Sequence, residues 1–514
     1  MRKIKATLGS TCVAIALCAA VVLTETTAFA QTVQQNAKND FSSNAYAVGD
    51  LILTDEVRQQ LDESGKVLKN IDDLYKFYGE TSSNVTRDKK AKGRADNSTN
   101  KYFPAIGDQG AVGSCASWAM TYLQATYTLN KARDLDSKDT ANVFSPMWTY
   151  NMTNQGAHNG TTLVDVCYVL TDIGAVSIDD VPMYNTTDNS NQYGDLHARK
   201  ELWLQAQKNQ IKDWYVVDIG NDIQDTPITS PDDKDLDLIK SLLDNGEVLS
   251  CSTPAYKWKT TQIVENDEVP ENSKYVGEDI ISRCDGYQYG GHRIAIVGYN
   301  DNIWVDVNQN GIVEEGEKGA FKIANSWGTE YGNDGFVWFS YDSVNQVSSV
   351  ANYSAINLNR YRDCSLIDIV AMTTKEVDEP SNCYAEFTIN SASAKTIKID
   401  ITAEGKDGKT YTYGVAPFKS SKMYYSVGGV SLDGTKKAAD GTFVIDLDNV
   451  IADITPSTIK DYTWNIKFTD TIKDSNELIV KEVKLLDTLK NKEYKSSLKE
   501  AESINGTSTR VFIN

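Results

Sequence analysis

Histidine, cysteine and basic residues are all scarce in this chain of 514 residues. The chain has 51 Lys and Arg and 71 Asp and Glu, so its net charge is −20. This charge argues against a nucleic-acid partner or an anionic membrane surface, because both need a basic protein surface. Beyond the N-terminus, no stretch reaches the roughly 20 apolar residues that a membrane-spanning helix needs. We therefore expect a soluble protein without a membrane span.

The first 30 residues have the pattern of a secretion signal. A basic start precedes an apolar run from Cys12 to Leu23, and Ala28 and Ala30 place small side chains at the two positions that a signal peptidase reads. We predict residues 1–30 as a signal peptide, cleaved before Gln31, and a secreted, extracellular protein. An uncleaved anchor is the alternative. Six cysteines remain after cleavage, which suits an exported domain large enough to build its core without disulfides.

The chain is too long for one ordinary core, so we expect two or more folded units. Residues 31–100 are polar, and we interpret them as a pro-region or linker. Within them, Thr54 can cap a helix whose apolar residues recur as far as Tyr75, with Gly65 weakening its middle. The sequence leaves open whether this segment inhibits the following domain or is only a spacer.

The remaining sequence divides by its pattern into two parts. Residues 101–360 alternate helical and strand patterns. In residues 365–514, stretches such as 384–389 and 462–468 alternate apolar and polar residues with period two, and Asp-Gly turns separate such runs. We predict an α+β domain followed by an all-β sandwich domain.

One cysteine has the setting of a nucleophile. A reactive thiol needs a nearby imidazole, and the chain offers only His158, His197 and His292. Cys115 follows glycines and Ser114 and precedes a long helical pattern. It is therefore expected at a helix N-terminus, where the positive end of the dipole favours a thiolate. No other cysteine has this setting.

The other cysteines of the secreted chain have structural interpretations. Cys167 lies in an apolar run and is expected to be a buried free thiol. Cys251 with Cys284, and Cys364 with Cys383, could form disulfides, but the sequence does not fix the pairing.

His292 and Asn325 each lie at the end of an apolar strand pattern. His292 follows two glycines and begins one strand, whereas Asn325 follows another strand and precedes Ser326-Trp327-Gly328. The amide oxygen of an asparagine can accept the imidazole N–H and orient the ring toward a thiol without adding a second charge. Trp327 can cover that hydrogen bond and exclude water.

These separated segments resemble the papain-like cysteine protease family. The order Cys115, His292, Asn325 matches, as do Gln109 six residues before the cysteine and the motif Asn-Ser-Trp-Gly at 325–328. The resemblance covers roughly residues 100–345. It implies a two-subdomain fold, with a helical half that carries the cysteine, a β-barrel half that carries the histidine and asparagine, and a cleft between them. We expect a secreted, bacterial member made as a zymogen.

The resemblance also implies roles for residues around the triad. Gln109 would donate its side-chain amide to the oxyanion of the tetrahedral intermediate, together with the backbone N–H of Cys115. The substrate-contacting residues would be Gly160, Thr161, Arg293 and Trp327. Arg293 stands directly after the histidine, so we predict a subsite that admits polar or acidic side chains; an arginine pointing to solvent is the alternative.

Between the strands of His292 and Asn325, residues 306–317 match the twelve-residue EF-hand calcium loop. Oxygen-bearing side chains stand at the first, third and fifth positions, with glycine at the sixth and glutamate at the twelfth. The expected ligands are Asp306, Asn308, Asn310, the Ile312 carbonyl, Glu314 and Glu317. The flanks have strand patterns rather than helical ones, so a hairpin tip without an ion is the alternative. We expect structural Ca²⁺ and no catalytic cofactor.

The leading interpretation is a secreted cysteine endopeptidase that hydrolyses polypeptides through a thiolate–imidazole pair and an acyl-enzyme. An inactive relative or a transglutaminase would share some of these residues, but Asn325, Trp327 and Gln109 favour the peptidase. From another functional class, the chain could be a secreted binding or adhesion protein. In that case the β-sandwich would bind a protein or a surface glycan.

Overall fold

The computed structural model describes residues 47–79, 93–157, 160–184, 192–218, 227–284, 291–345, 348–350, 367–374, 382–419, 427–452 and 454–513. All of them belong to one unit of the chain, Tyr46–Asn514. The predicted signal peptide and the predicted start of the pro-region lie outside the described residues.

A long buried helix organises the helical half. The helices are α1 (Asp55–Glu63), α2 (Leu74–Tyr78), α3 (the consecutive stretches Cys115–Ser117, Trp118–Ala125 and Thr126–Arg133, of which the second is π-helical), α4 (Pro146–Thr153), α5 (Leu163–Asp172), α6 (Lys200–Ala206) and α7 (Asp237–Asp244). From Trp118 to Leu129, α3 is buried on every side. A helix that is enclosed all round is held by its neighbours, so the core fixes the position of its first residue, Cys115.

One ten-stranded sheet forms the other half. Its strands are β1 (Val67–Leu68), β2 (Arg94–Asp96), β3 (Ile211–Val217), β4 (Leu249–Thr253), β5 (Trp258–Gln262), β6 (Asp279–Cys284), β7 (His292–Trp304), β8 (Lys318–Ala324), β9 (Phe336–Ser340) and β10 (Ile367–Thr374). The order is β1-β3-β10-β4-β7-β8-β9-β6-β5, and β2 pairs with β7. The central β7 and β8 are antiparallel, with Ala295 opposite Ala324. The start of β7 and the end of β8 therefore lie side by side.

Residues 47–79 and 93–100 pack onto both halves, more extensively than the polar composition of residues 31–100 predicted. Thr54 caps α1 through its side chain, as the sequence indicated. The expected single helix nevertheless breaks at Gly65, whose φ of 74° is left-handed, and β1 follows instead. The chain turns there because Leu68 is fully buried beside β3, where a strand fits and a helix would not.

The predicted boundary of the sandwich at residue 365 needs correction. β10 lies between β3 and β4 in the first sheet. Its Val370 and Ala371, neighbours that point to opposite faces, are both fully buried. A strand covered on both faces belongs in the middle of a sheet, and the sandwich begins only at Cys383.

Two antiparallel sheets form the C-terminal domain. Their strands are β11 (Cys383–Ser391), β12 (Ile397–Gly405), β13 (Thr410–Gly414), β14 (Ala439–Asp446), β15 (Tyr462–Asp470), β16 (Leu478–Asp487), β17 (Lys492–Lys495), β18 (Glu502–Ile504) and β19 (Ser508–Ile513). One sheet has the order β14-β11-β16-β17, with β18 also on β16, and the other has the order β13-β12-β15-β19. Phe387 of the first sheet meets Phe468 of the second at 5.5 Å between ring centroids. This is the face-to-face packing of a sandwich.

The sandwich shares a hydrophobic core with the helical half. Trp203 of α6 packs edge-on against Phe443 of β14, with ring centroids 4.9 Å apart. Beside this contact, Gln207 Nε2 donates to the Val444 carbonyl over 3.0 Å. The buried side chains on both sides of the boundary form one continuous cluster. The sandwich is thus fused to the helical half and not joined to it by a flexible linker.

Cysteine pairing is settled only in part. Cys167 and Cys251 are buried free thiols, so the predicted interpretation of Cys167 is confirmed and the possible Cys251–Cys284 disulfide does not form. Cys364 lies outside the described residues, so its possible bond to Cys383 stays a prediction. Among the described residues, no helix has the length and apolar content to cross a bilayer.

The shared core predicts a large effect of truncating Trp203. The Trp203→Ala substitution is expected to lower the free energy of unfolding by about 3–5 kcal/mol, because it empties a site that is fully buried between two domains. Urea denaturation measures the change. Val264 is 53% exposed, and Val264→Ala is the control, expected to change stability by less than about 0.5 kcal/mol. Equal effects of the two substitutions would contradict a shared core.

Candidate active site

His292 and Asn325 meet where β7 begins and β8 ends. The distance between His292 Nε2 and Asn325 Oδ1 is 2.7 Å, and the same oxygen accepts the Ser326 N–H over 2.7 Å. Trp327 stacks on the imidazole, with ring centroids 4.3 Å apart. The asparagine and the tryptophan therefore fix the plane of the ring and shield it from water.

The environment of His292 opposes its protonation. The side chain is fully buried, and this burial lowers its pKa to about 4, although the hydrogen bond to Asn325 and the charge of Asp50 both act to raise it. Its second nitrogen, Nδ1, is buried without a hydrogen-bond partner among the described residues. That nitrogen is the one available for proton transfer.

The sulfur of Cys115 lies against the peptide that follows His292. It accepts the backbone N–H of Arg293, and also that of Gly49, whose nitrogen is 3.1 Å away. Burial, followed by the negative charge of Asp50, raises the pKa of the Cys115 thiol to about 12 despite these two N–H groups. In this state the thiol and the imidazole are both neutral at pH 7.

Gln109, six residues before the cysteine, is held by the segment that follows Asn325. Its Oε1 accepts the Ser326 hydroxyl over 2.6 Å, and its backbone N–H donates to the Ser326 carbonyl over 2.9 Å. Its Nε2 donates to the carbonyls of Val112, at 2.8 Å, and Ala47, at 3.1 Å. Trp327 Nε1 donates to the same Ala47 carbonyl over 3.2 Å. Two N–H donors thus converge on the carbonyl oxygen of Ala47.

Residues 47–51, here named the cleft segment, cross this site in extended form. The backbone of Asp50 exchanges hydrogen bonds with Gly291 at 3.0 and 2.8 Å. On the other side, the Thr161 N–H donates to Gly49 O over 2.9 Å and the Leu51 N–H donates to Thr161 O over 3.0 Å. A Cβ on Gly160 would lie 2.2 Å from the Gly49 oxygen. Only glycine at position 160 lets the segment come this close.

Arg293 does not point to solvent, so that alternative is wrong. The residue is 1% exposed, and its Nε donates to Asp50 Oδ1 over 3.2 Å. Burial disfavours the guanidinium cation, but the charges of Asp50 and Asp368 and the hydrogen bond to Asp50 together outweigh this effect, and the pKa of Arg293 is raised.

The proposed calcium loop forms a tight turn in which the side-chain oxygens accept hydrogen bonds from N–H groups in or beside the loop. Asp306 accepts from the backbone N–H groups of Asn310 and Gly311 at 3.0 and 2.9 Å, and Glu317 accepts from Val307 N and Trp304 Nε1 at 2.7 and 2.8 Å. In the described part of the chain, no group of three or more His, Cys, Asp or Glu is arranged to hold a metal. The donor atoms suit Ca²⁺, whereas the carboxylates do not converge.

The sequence missed two contributors to the site. Asp50 belongs to a short stretch without periodicity, and nothing in the sequence signals that it reaches Arg293. Trp258, at 6.0 Å from the Trp327 ring, also lies outside the motifs. Of the other histidines, His197 contacts Asp195 at 3.3 Å, away from Cys115, and His158 lies outside the described residues.

Comparisons with known proteins agree with this geometry. Residues 260–358 match the family described as papain family cysteine protease, a range that includes His292 and Asn325 but not Cys115. None of the curated proteins compared with the chain matches it.

Several solved structures are similar to part of the chain. Xylellain, a cysteine protease from Xylella fastidiosa, is 16% identical with a TM-score of 0.36, and the match covers 56% of this chain and 87% of xylellain. Digestive procathepsin L 3 of Tenebrio molitor is 13% identical with a TM-score of 0.34, covering 56% and 71%. Bromelain from Ananas comosus, in complex with the inhibitor E64, is 11% identical with a TM-score of 0.33, covering 55% and 99%.

At such identities and TM-scores, these structural similarities do not support a functional assignment. The assignment depends on the family match and on the site described above. The match of residues 260–358 and the geometry of the site together support a papain-like cysteine peptidase.

Proposed function

We propose that the chain is a secreted cysteine endopeptidase synthesised as an inactive precursor, with Cys115 as nucleophile, His292 as general base and Asn325 as the residue that orients it. The observation that carries this proposal is the cleft segment. An extended stretch of polypeptide, bound through its main chain on both sides, lies directly over the thiol. A cleft that holds one polypeptide in this way is suited to hold another as substrate.

The proposed chemistry follows from the neighbours of the sulfur. In the open cleft, the imidazole takes the thiol proton and the thiolate attacks a peptide carbonyl carbon. Gln109 Nε2 and the Cys115 N–H stabilise the resulting oxyanion. His292 then protonates the leaving amine, and a water molecule deprotonated by His292 hydrolyses the acyl-enzyme.

The cleft segment is bound in a way that resists cleavage. The carbonyl next to Gln109 Nε2 belongs to Ala47, whereas the N–H on the sulfur belongs to Gly49. The peptide bond whose N–H contacts the sulfur is therefore not the one whose carbonyl contacts Gln109. The segment also keeps water from the thiol and the imidazole, which disfavours their ionisation. We propose residues 47–51 as the inhibitory part of the pro-region.

Self-processing tests the proposed nucleophile. The incubated full chain is expected to lose its N-terminal segment, whereas Cys115→Ala is expected to remain intact, because the alanine has no thiol to attack a peptide bond. Mass spectrometry of the secreted protein measures this difference. Cys167→Ala is the matched control, since Cys167 is another buried thiol, and it should be processed like the unmodified chain. Equal processing of Cys115→Ala would contradict the assignment.

The lowered pKa of His292 predicts that acid destabilises the closed precursor. The unfolded histidine titrates near pH 6.5 and the buried one at about 4, so only the unfolded chain gains a proton between these values. The contribution of His292 to stability is therefore complete above about pH 6.5 and is lost as the pH falls toward 4, by on the order of 3 kcal/mol.

Two non-processing variants isolate this effect. The Cys115→Ala chain is expected to lose more stability between pH 6.5 and 4 than the Cys115→Ala, His292→Gln chain, in which the titrating group is absent. Urea unfolding at each pH measures both, and carboxylates elsewhere contribute equally to the two. Identical pH profiles would mean that His292 is not desolvated in the precursor.

We also propose that the loop 306–317 binds structural Ca²⁺ through its side-chain oxygens and the Ile312 carbonyl. When bound, the ion would stiffen the connection between β7 and β8. It takes no part in the peptide-bond chemistry. Binding would require the carboxylates of Glu314 and Glu317 to exchange some of their present N–H partners for the ion.

Calcium binding predicts a shift in melting temperature. Millimolar CaCl₂ is expected to raise the melting temperature of Cys115→Ala by a few degrees relative to excess chelator, because a ligand that binds only the folded state stabilises it. The Asp306→Ala substitution should abolish the shift, whereas Asp267→Ala, at an exposed acid outside the loop, should keep it. If the unmodified loop gives no shift, it is only a turn.

For the sandwich, binding of a protein or glycan partner stays a prediction. Its fusion to the helical half through Trp203 and Phe443 favours a part in the stability of the peptidase.

A further inference from the structure

We propose that Arg293 forms a subsite for acidic side chains, so that the peptidase prefers polypeptides with Asp or Glu at one position near the cleaved bond. This inference rests on the proposed peptidase function. It comes from the buried ion pair between Asp50 of the cleft segment and Arg293 of β7.

The main chain of Asp50 makes contacts that any extended polypeptide can make. Its N–H and C=O pair with Gly291, and its neighbours pair with Thr161, all through backbone atoms. A substrate strand held between the same two segments therefore places a side chain where that of Asp50 now lies. The residues that line the subsite, and not the main-chain contacts, then determine which side chain binds there.

Arg293 gives the lining of this subsite its positive charge. Its Nη1 donates to the backbone carbonyl of Asp368 over 3.0 Å, and the Asp368 carboxylate pairs with Arg58 of α1 at 3.0 Å. Among the described residues, Asp50 is the carboxylate that contacts the guanidinium directly. With the cleft segment bound, the guanidinium is 1% exposed. A ligand that fills the same space without supplying a carboxylate would leave a buried cation unpaired, which is costly, so a ligand with a carboxylate is favoured.

A second donor lies beside the carboxylate. Ser252 is paired with Arg293 across β4 and β7, which places both side chains on one face of the sheet. The Ser252 hydroxyl and Asp50 Oδ2 are both buried without a hydrogen-bond partner in the described part of the chain. A Cβ on Gly291 would lie 2.2 Å from Ser252 Oγ and 3.2 Å from Asp50 Oδ2, so the two atoms border one small space. A cation and a free hydroxyl at one end of a subsite are suited to a carboxylate.

Peptides that differ at a single position test this preference. The full chain, after Cys115-dependent processing, is assayed on a positional library in which Asp, Glu, Asn, Gln, Leu and Lys are exchanged at each of the four residues before the cleaved bond. At one position, kcat/KM for Asp or Glu is expected to exceed that for Asn or Gln by about 10- to 100-fold, as for a buried charged hydrogen bond. Arg293→Gln should reduce this ratio to about one.

A second variant covers the case in which Arg293→Gln does not fold. Asp50→Asn in the full chain weakens the hold of the cleft segment. Iodoacetamide should then label Cys115 about 10-fold faster than in the unmodified chain. Glu63→Gln is the matched control, because Glu63 is an exposed acid at the end of α1 that accepts a hydrogen bond from Gln59 of the same helix. It should label at the unmodified rate.

The outcomes separate the subsite from the peptidase function. If the unmodified enzyme cleaves peptides but treats Asp like Asn and Glu like Gln at every position, the acidic subsite is wrong and the peptidase function stands. A preference that persists in Arg293→Gln would equally overturn the role of Arg293. If no peptide is cleaved and Cys115 labels no faster than Cys167, the proposed function fails as well.

Discussion

The antiparallel pairing of β7 with β8 is the constraint on which the site depends. Because Ala295 lies opposite Ala324, the first residue of one strand and the residue after the other come together. His292 and Asn325 are 33 positions apart in the chain, yet their side chains are 2.7 Å apart. The segment after Asn325 then holds Gln109 through Ser326, and Gln109 lies six residues before Cys115 at the start of α3. A shift of one residue in this register would turn His292 to the opposite face of the sheet.

The cleft segment contributes to the electrostatics of this arrangement through burial and through the charge of Asp50. The segment fills the cleft and removes water from the Cys115 thiol and the His292 imidazole, which must become charged to act. Because water stabilises charged groups, its removal favours the neutral form of both. Two charges that act on the sulfur, those of Asp50 and Arg293, form an ion pair with each other. The proposed inhibition thus follows from desolvation, with the hydrogen bond between His292 and Asn325 in place.

The sequence was most informative about features that depend on residues close together in the chain. Glycines and Ser114 before a helical pattern placed Cys115 at a helix start, and Thr54 was recognised as a cap, since both features involve residues within one turn. The position of β10 could not be predicted, because its neighbours β3 and β4 lie more than a hundred residues earlier and only tertiary pairing selects them. The same limit applies to Asp50, whose partner Arg293 is 243 positions away.

The place of β10 in the middle of the first sheet has a consequence for synthesis. β3 and β4 are not adjacent, and the gap between them is filled only by Ile367–Thr374. A nascent chain that has emerged as far as the Asn-Ser-Trp-Gly motif already contains every residue of the triad but cannot yet close the sheet that supports them. Translation must pass residue 374 before the catalytic half can mature, by which time the cleft segment has long been available to cover it.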